Sequence, residues 1–92
     1  METYKTLGLS TGHITEKDSE VLQELSKASN MIFSRDTGFF IKIYTDKLEL
    51  NTNDEYSKAL ISIIKYAYSN NFKMIELDCD IELSEKFKSF NW

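Results

Sequence analysis

Between residues 74 and 83 the sequence reads M-I-E-L-D-C-D-I-E-L, and every second side chain from Glu76 to Glu82 is a carboxylate. Extended backbone turns successive side chains to opposite faces. Glu76, Asp78, Asp80 and Glu82 would therefore share one face of a strand, with Ile75, Leu77, Cys79, Ile81 and Leu83 on the other. Neighbouring carboxylates on one strand face stand about 6.6 Å apart. They repel by ~0.6 kcal/mol in water and by ~2.5 kcal/mol at an effective dielectric of about 20. Burial of Ile75, Leu77 and Ile81, at roughly 1.5–3 kcal/mol each, offsets that repulsion. The row then has three readings: a solvated face screened by salt and by Lys73 or Lys86, a contact surface for a basic protein, or a set of ligands for a cation such as Mg²⁺. The last has a geometric obstacle, because carboxylates two residues apart on a strand share one ion only if a turn intervenes near Asp78.

His13 is the single histidine, placed after Ser10-Thr11-Gly12 and before a helix start. Its imidazole could act as a base or metal ligand, or simply order the turn. Ser10 and Thr11 at a helix entry suggest an anion site, although Glu16 and Asp18 already complement the helix dipole there. Joined to Asp78 and Asp80, His13 would make a metal-assisted hydrolase or nuclease, provided the turn and the acidic strand meet. Cys79 is the lone cysteine, which excludes an intramolecular disulfide and a cysteine-built metal centre and fits a small core residue. No phosphate loop, dinucleotide fingerprint or nucleophile elbow is present. No catalytic residue, cofactor or bound metal is assigned on these grounds.

The elements that must position these residues follow from periodicity. Residues 4–10 form a strand with Leu7 and Leu9 inward. Thr15 caps a helix over 16–29, with Asp18 three residues on making an imperfect capping box and Val21, Leu22, Leu25 and Ala28 on its apolar stripe. Residues 31–34 and 39–45 form a hairpin around Arg35-Asp36-Thr37-Gly38, with Gly38 suited to a left-handed position and Leu48 and Leu50 prolonging the second strand. Asn53 or Asp54 caps a second helix with Tyr56, Ala59, Leu60, Ile63, Ile64 and Ala67 on one face, ended by Asn70-Asn71. After the acidic strand, residues 85–90 turn Phe87 and Phe90 back onto the core, and Trp92 is either a plug at the core edge or a contact residue. The order β-α-β-β-α-β predicts an α+β fold, a ferredoxin-like split βαβ. It has a four-stranded, mainly antiparallel sheet with two helices on one face and the acidic strand at an edge.

Ninety-two residues make one domain, 1–92, with a single modest core. A net charge of −4, with lysines spread along the chain, argues against direct nucleic-acid binding. No stretch has membrane-spanning length, and no leader is visible, so the expected setting is a reducing cytoplasm. Copies would exist as monomers or as homodimers paired through the second strand, since two acidic rows would repel.

Two motifs together, L-G-L-S-T-G-H-I-T over residues 7–15 and I-E-L-D-C-D over 75–80, with Gly38-Phe39-Phe40 between them and Trp92 at the end, resemble a family of small phage- and plasmid-borne proteins. It is a domain of unknown function marked by LSTxHIT, LDxD and an acidic-Trp ending. Asn91 departs from the acidic residue of that ending. The resemblance implies a mobile-element setting and singles out Ser10, Thr11, His13, Asp78 and Asp80 as one motif site. Setting and charge together lead to a non-enzymatic interaction domain that binds a basic surface of a host or viral protein through Glu76, Asp78, Asp80 and Glu82. An inhibitor of a host defence system, of anti-CRISPR or anti-restriction type, is its most concrete form.

Overall fold

The computed structural model describes residues 1, 3–43 and 53–92. Its elements are β1 (Thr6–Leu9), a 3-10 turn (Thr11–His13), α1 (Glu16–Leu25), β2 (Ile32–Arg35), β3 (Gly38–Lys42), α2 (Lys58–Ser69) and β4 (Met74–Asp78). The class is α+β, with the expected β-α-β-β-α-β order. The expected strand character of 44 and 45 and its prolongation to Leu50 lie outside the described residues.

The strand order is β1-β4-β3-β2. β4 runs parallel to β1 and antiparallel to β3, and β3 is antiparallel to β2. The acidic strand is therefore central, not at the edge where the ferredoxin-like arrangement would put it. The alternation of Ile75 and Leu77 fixes which face of β4 is inward but is silent about its neighbours. Both side chains are fully buried, and a central place gives each apolar contacts on two sides. The strand also stops at Asp78, so the row of four carboxylates is not continuous: only Glu76 and Asp78 lie on it, while Asp80 and Glu82 follow in a turn and irregular chain.

Both helices supply the core on one face of the sheet. Val21 and Leu22 of α1 and Leu60, Ile63, Ile64 and Ala67 of α2 join Leu9, Ile32, Phe39, Ile41, Ile75 and Leu77 in one cluster. The opposite face carries Phe33, Arg35, Phe40, Lys42 and Glu76, none of them fully buried.

Helix boundaries follow from capping chemistry. Thr15 and Asp18 form the complete reciprocal box at α1. α2 is capped by Ser57, not by Asn53 or Asp54, because Ser57 Oγ accepts from the Leu60 N–H at 3.1 Å. Asn53 instead closes a local turn, its Oδ1 accepting from Glu55 N–H at 2.8 Å. Asn71 takes the left-handed conformation expected after the helix, with φ 62°. Gly38 does not, having no positive φ. It is required for close approach: a Cβ there would lie 1.7 Å from the Leu77 carbonyl oxygen.

Asp18, fully buried, ties the two helix starts together. Its carboxylate accepts from Thr15 N–H (3.0 Å), Ser57 N–H (2.7 Å) and the Ser57 hydroxyl (2.5 Å). Burial and the charge of Asp18 push the Tyr56 phenol above its ordinary range.

Candidate functional site

Arg35, Gly38 and Asp78 occupy one row across three strands. Gly38 has no side chain to stand between the other two, so the guanidinium reaches over it. Arg35 Nη2 lies 2.6 Å from Asp78 Oδ2, and Nη1 lies 3.1 Å from Glu76 Oε2. The same guanidinium sits over the Phe40 ring, 4.9 Å from its centre. Thr37 Oγ1 also donates to Asp78 Oδ2 at 3.0 Å, and the Asp80 N–H donates to Asp78 Oδ1 at 2.8 Å. The Asp80 amide is the largest cause holding the Asp78 carboxyl below its ordinary range. Thr37 and Arg35 add to it, and burial opposes them. Asp78 is thus a clasp between the β2–β3 hairpin and the turn after β4, reinforced by the Cys79 N–H donating to the Thr37 carbonyl at 2.9 Å.

Of the four carboxylates expected to face a partner, Glu76 and Asp78 are consumed by Arg35. Asp80 and Glu82 remain exposed. Cys79, expected on the apolar floor, is exposed because the strand has ended. Desolvation first, then the charges of Asp80 and Asp78, push its thiol up, so it stays protonated and a poor nucleophile at neutral pH.

Asp78, Cys79 and Asp80 each offer a ligand atom within 4.8 Å of the others, the set among the described residues best placed for one cation. Both Asp78 oxygens already accept hydrogen bonds, so coordination there competes with Arg35, Thr37 and the Asp80 amide. His13 is not in that set. Fully buried, it receives the Ser84 N–H on Nε2 at 2.8 Å, which leaves Nδ1 protonated and donating to the Lys88 carbonyl at 2.9 Å. Its ring also packs against Phe87, with centroids 5.9 Å apart. Both nitrogens serve to hold the C-terminal segment. Ser10 is likewise structural, buried with its hydroxyl accepting from Gly12 N–H at 3.0 Å.

The parallel pairing of Leu9 with Leu77 brings the ends of β1 and β4 side by side. The Ser10-Thr11-Gly12-His13 turn and Asp78-Cys79-Asp80 therefore meet at one end of the sheet, because β4 is the parallel neighbour of β1. A cleft of about 240 Å³ lies there, lined in part by Thr11, Arg35, Thr37, Cys79 and Trp92. Trp92 donates its indole N–H to the Ile14 carbonyl at 2.8 Å, yet remains 54% exposed. It is anchored at the surface and is not a buried plug. Sequence reasoning read Arg35 and Thr37 only as hairpin residues; the signal available was that Arg35 is the sole arginine.

Among the described residues no helix is long and apolar enough to cross a membrane. No curated protein and no solved structure matches the chain. A family model does match, over residues 6–92, and it takes in the β1 turn, the Arg35–Asp78 clasp and Trp92. The chain belongs to the C-terminal domain of DUF5983, a family of unknown function.

Proposed function

We propose that this domain is a non-enzymatic interaction module. Its contact surface is the end of the sheet where Trp92, Asp80 and Glu82 lie exposed. The observation that carries this is Trp92: one hydrogen bond to Ile14 fixes the indole, and 54% of the residue stays open to solvent. A large aromatic held in place loses little entropy on binding and is the residue type that dominates interface energetics. Asp80 and Glu82, exposed after β4 at the same end of the sheet and without an ion pair among the described residues, favour a lysine- or arginine-rich partner, since guanidinium groups both stack on indole and pair with carboxylates. A basic surface on a host or viral protein, in the cytoplasm and in a phage or mobile-element setting, fits this chemistry. Inhibition of a defence nuclease, whose nucleic-acid channel is basic, is the most specific form.

The test is affinity capture from host lysate with wild type, Asp80→Lys/Glu82→Lys and Trp92→Ala, at low and moderate salt. A partner lost with both variants and weakened by salt is the expected result. Equal capture by all three proteins would refute the reading. Asp78→Lys is unsuitable for this purpose, because it breaks the Arg35 clasp.

A further inference from the structure

Net charge conceals a second surface. Of ten lysines in the chain, Lys58 and Lys65 on α2 and Lys86 and Lys88 in the C-terminal segment line two depressions that share Lys58 and Ser62. The one that reaches the C-terminal segment is about 460 Å³ and is also lined by Thr15, Ser62, Phe87 and Phe90, while the Ser57 hydroxyl in its wall is engaged by Asp18 and the Leu60 amide. Among the described residues no Asp or Glu lines either depression, although the chain holds 15 acidic residues against 11 basic ones. Among the described residues none of these four lysines is ion-paired. Two are positioned by aromatic rings instead: Lys86 Nζ lies 4.8 Å from the Tyr66 centroid and Lys88 Nζ 5.4 Å from that of Phe90.

The start of α2 is already used, by Ser57 on the Leu60 amide and by Asp18 on Ser57. Anion recognition here rests on ammonium and hydroxyl groups. Among the described residues this cleft shares no lining residue with the one that holds Trp92.

We propose that the cleft binds a nucleotide, with phosphate on Lys58, Lys86 and Lys88 and the base against Phe90. Three ammoniums with hydroxyls suit a multiply charged tetrahedral group. Aromatic rings on the same wall offer stacking to a nucleobase, which an acidic peptide would leave unused. The volume falls in the range of small-ligand sites. The phosphate can come from a free nucleotide or from a single-stranded nucleic acid.

Fluorescence anisotropy with the full chain distinguishes the sources, using a labelled oligothymidylate and a labelled ATP as separate probes at about 50 mM salt, where phosphate contacts are strong. Lys86→Ala/Lys88→Ala and Lys58→Ala, all at exposed positions, should each retain the wild-type circular dichroism and weaken binding, the double variant at least ~10-fold. The oligonucleotide affinity should fall with salt, with a log–log slope of ~0.7 per phosphate engaged. Binding of the oligonucleotide alone identifies a nucleic acid as the source; displacement of it by ATP identifies a free nucleotide. Failure of both probes to bind wild type overturns the proposal. So does wild-type affinity in the lysine variants, or a polyglutamate peptide that competes as well as the oligonucleotide.

Discussion

Arg35 and Asp78 face each other across Gly38 with 2.6 Å between nitrogen and oxygen, joining the β2–β3 hairpin to the end of β4 over a residue that has no side chain. The folded carboxyl of Asp78 titrates below its ordinary range. Its stabilisation is therefore fully present above the unfolded value of about 4 and is lost as pH falls through the lowered folded value. Calorimetry should show Asp78→Asn melting several degrees below wild type at neutral pH. The gap should narrow on acidification below about pH 4. Parallel pH profiles for the two proteins would contradict this assignment.

His13 accepts from Ser84 and donates to Lys88, so His13→Ala strands two main-chain groups and leaves a void beside Phe87. The expected loss is roughly 2–4 kcal/mol in urea unfolding. Hydrogen exchange should show the Ser84 amide losing protection before the core strands do. If His13→Ala unfolds at the wild-type midpoint, the histidine is not a structural tie.

Asp18→Ala removes an acceptor from Thr15 and from Ser57 in a fully buried place. Both helix starts lose a partner, and about 2–4 kcal/mol of stability should go with them. Asp18→Asn keeps the shape and part of the acceptor capacity and should recover some of that loss. A difference of under about 0.5 kcal/mol between Asp18→Ala and wild type would show that water replaces the carboxylate.

The glycines separate cleanly. Gly38→Ala places a Cβ 1.7 Å from the Leu77 carbonyl oxygen, a backbone atom that cannot yield. The β3–β4 pairing must shift, and the cooperative thermal transition should be lost or severely lowered. Gly8→Ala meets only the Ile81 Cδ1 at 3.4 Å, a movable side-chain tip, so its Tm should stay within a few degrees of wild type.

Periodicity and capping in the sequence were enough to establish the element order, the inward faces of β1, α2 and β4, the Thr15–Asp18 box and the left-handed Asn71. Each depends on interactions within a few residues, where spacing determines geometry. The strand order, the Arg35–Asp78 pair separated by 43 residues, the capture of His13 by the C-terminal segment and the gathering of lysines from 58–65 and 86–88 were decided only by the tertiary structure. Alternation says which side of a strand is buried and nothing about which strand lies beside it. Charge counted along the chain likewise averages over surfaces that folding separates. The acidic row therefore reads as one uniform face in sequence. In the folded chain it divides into a half paired with Arg35, Glu76 and Asp78, and an exposed half, Asp80 and Glu82, because the strand ends at Asp78 and Arg35 reaches no further.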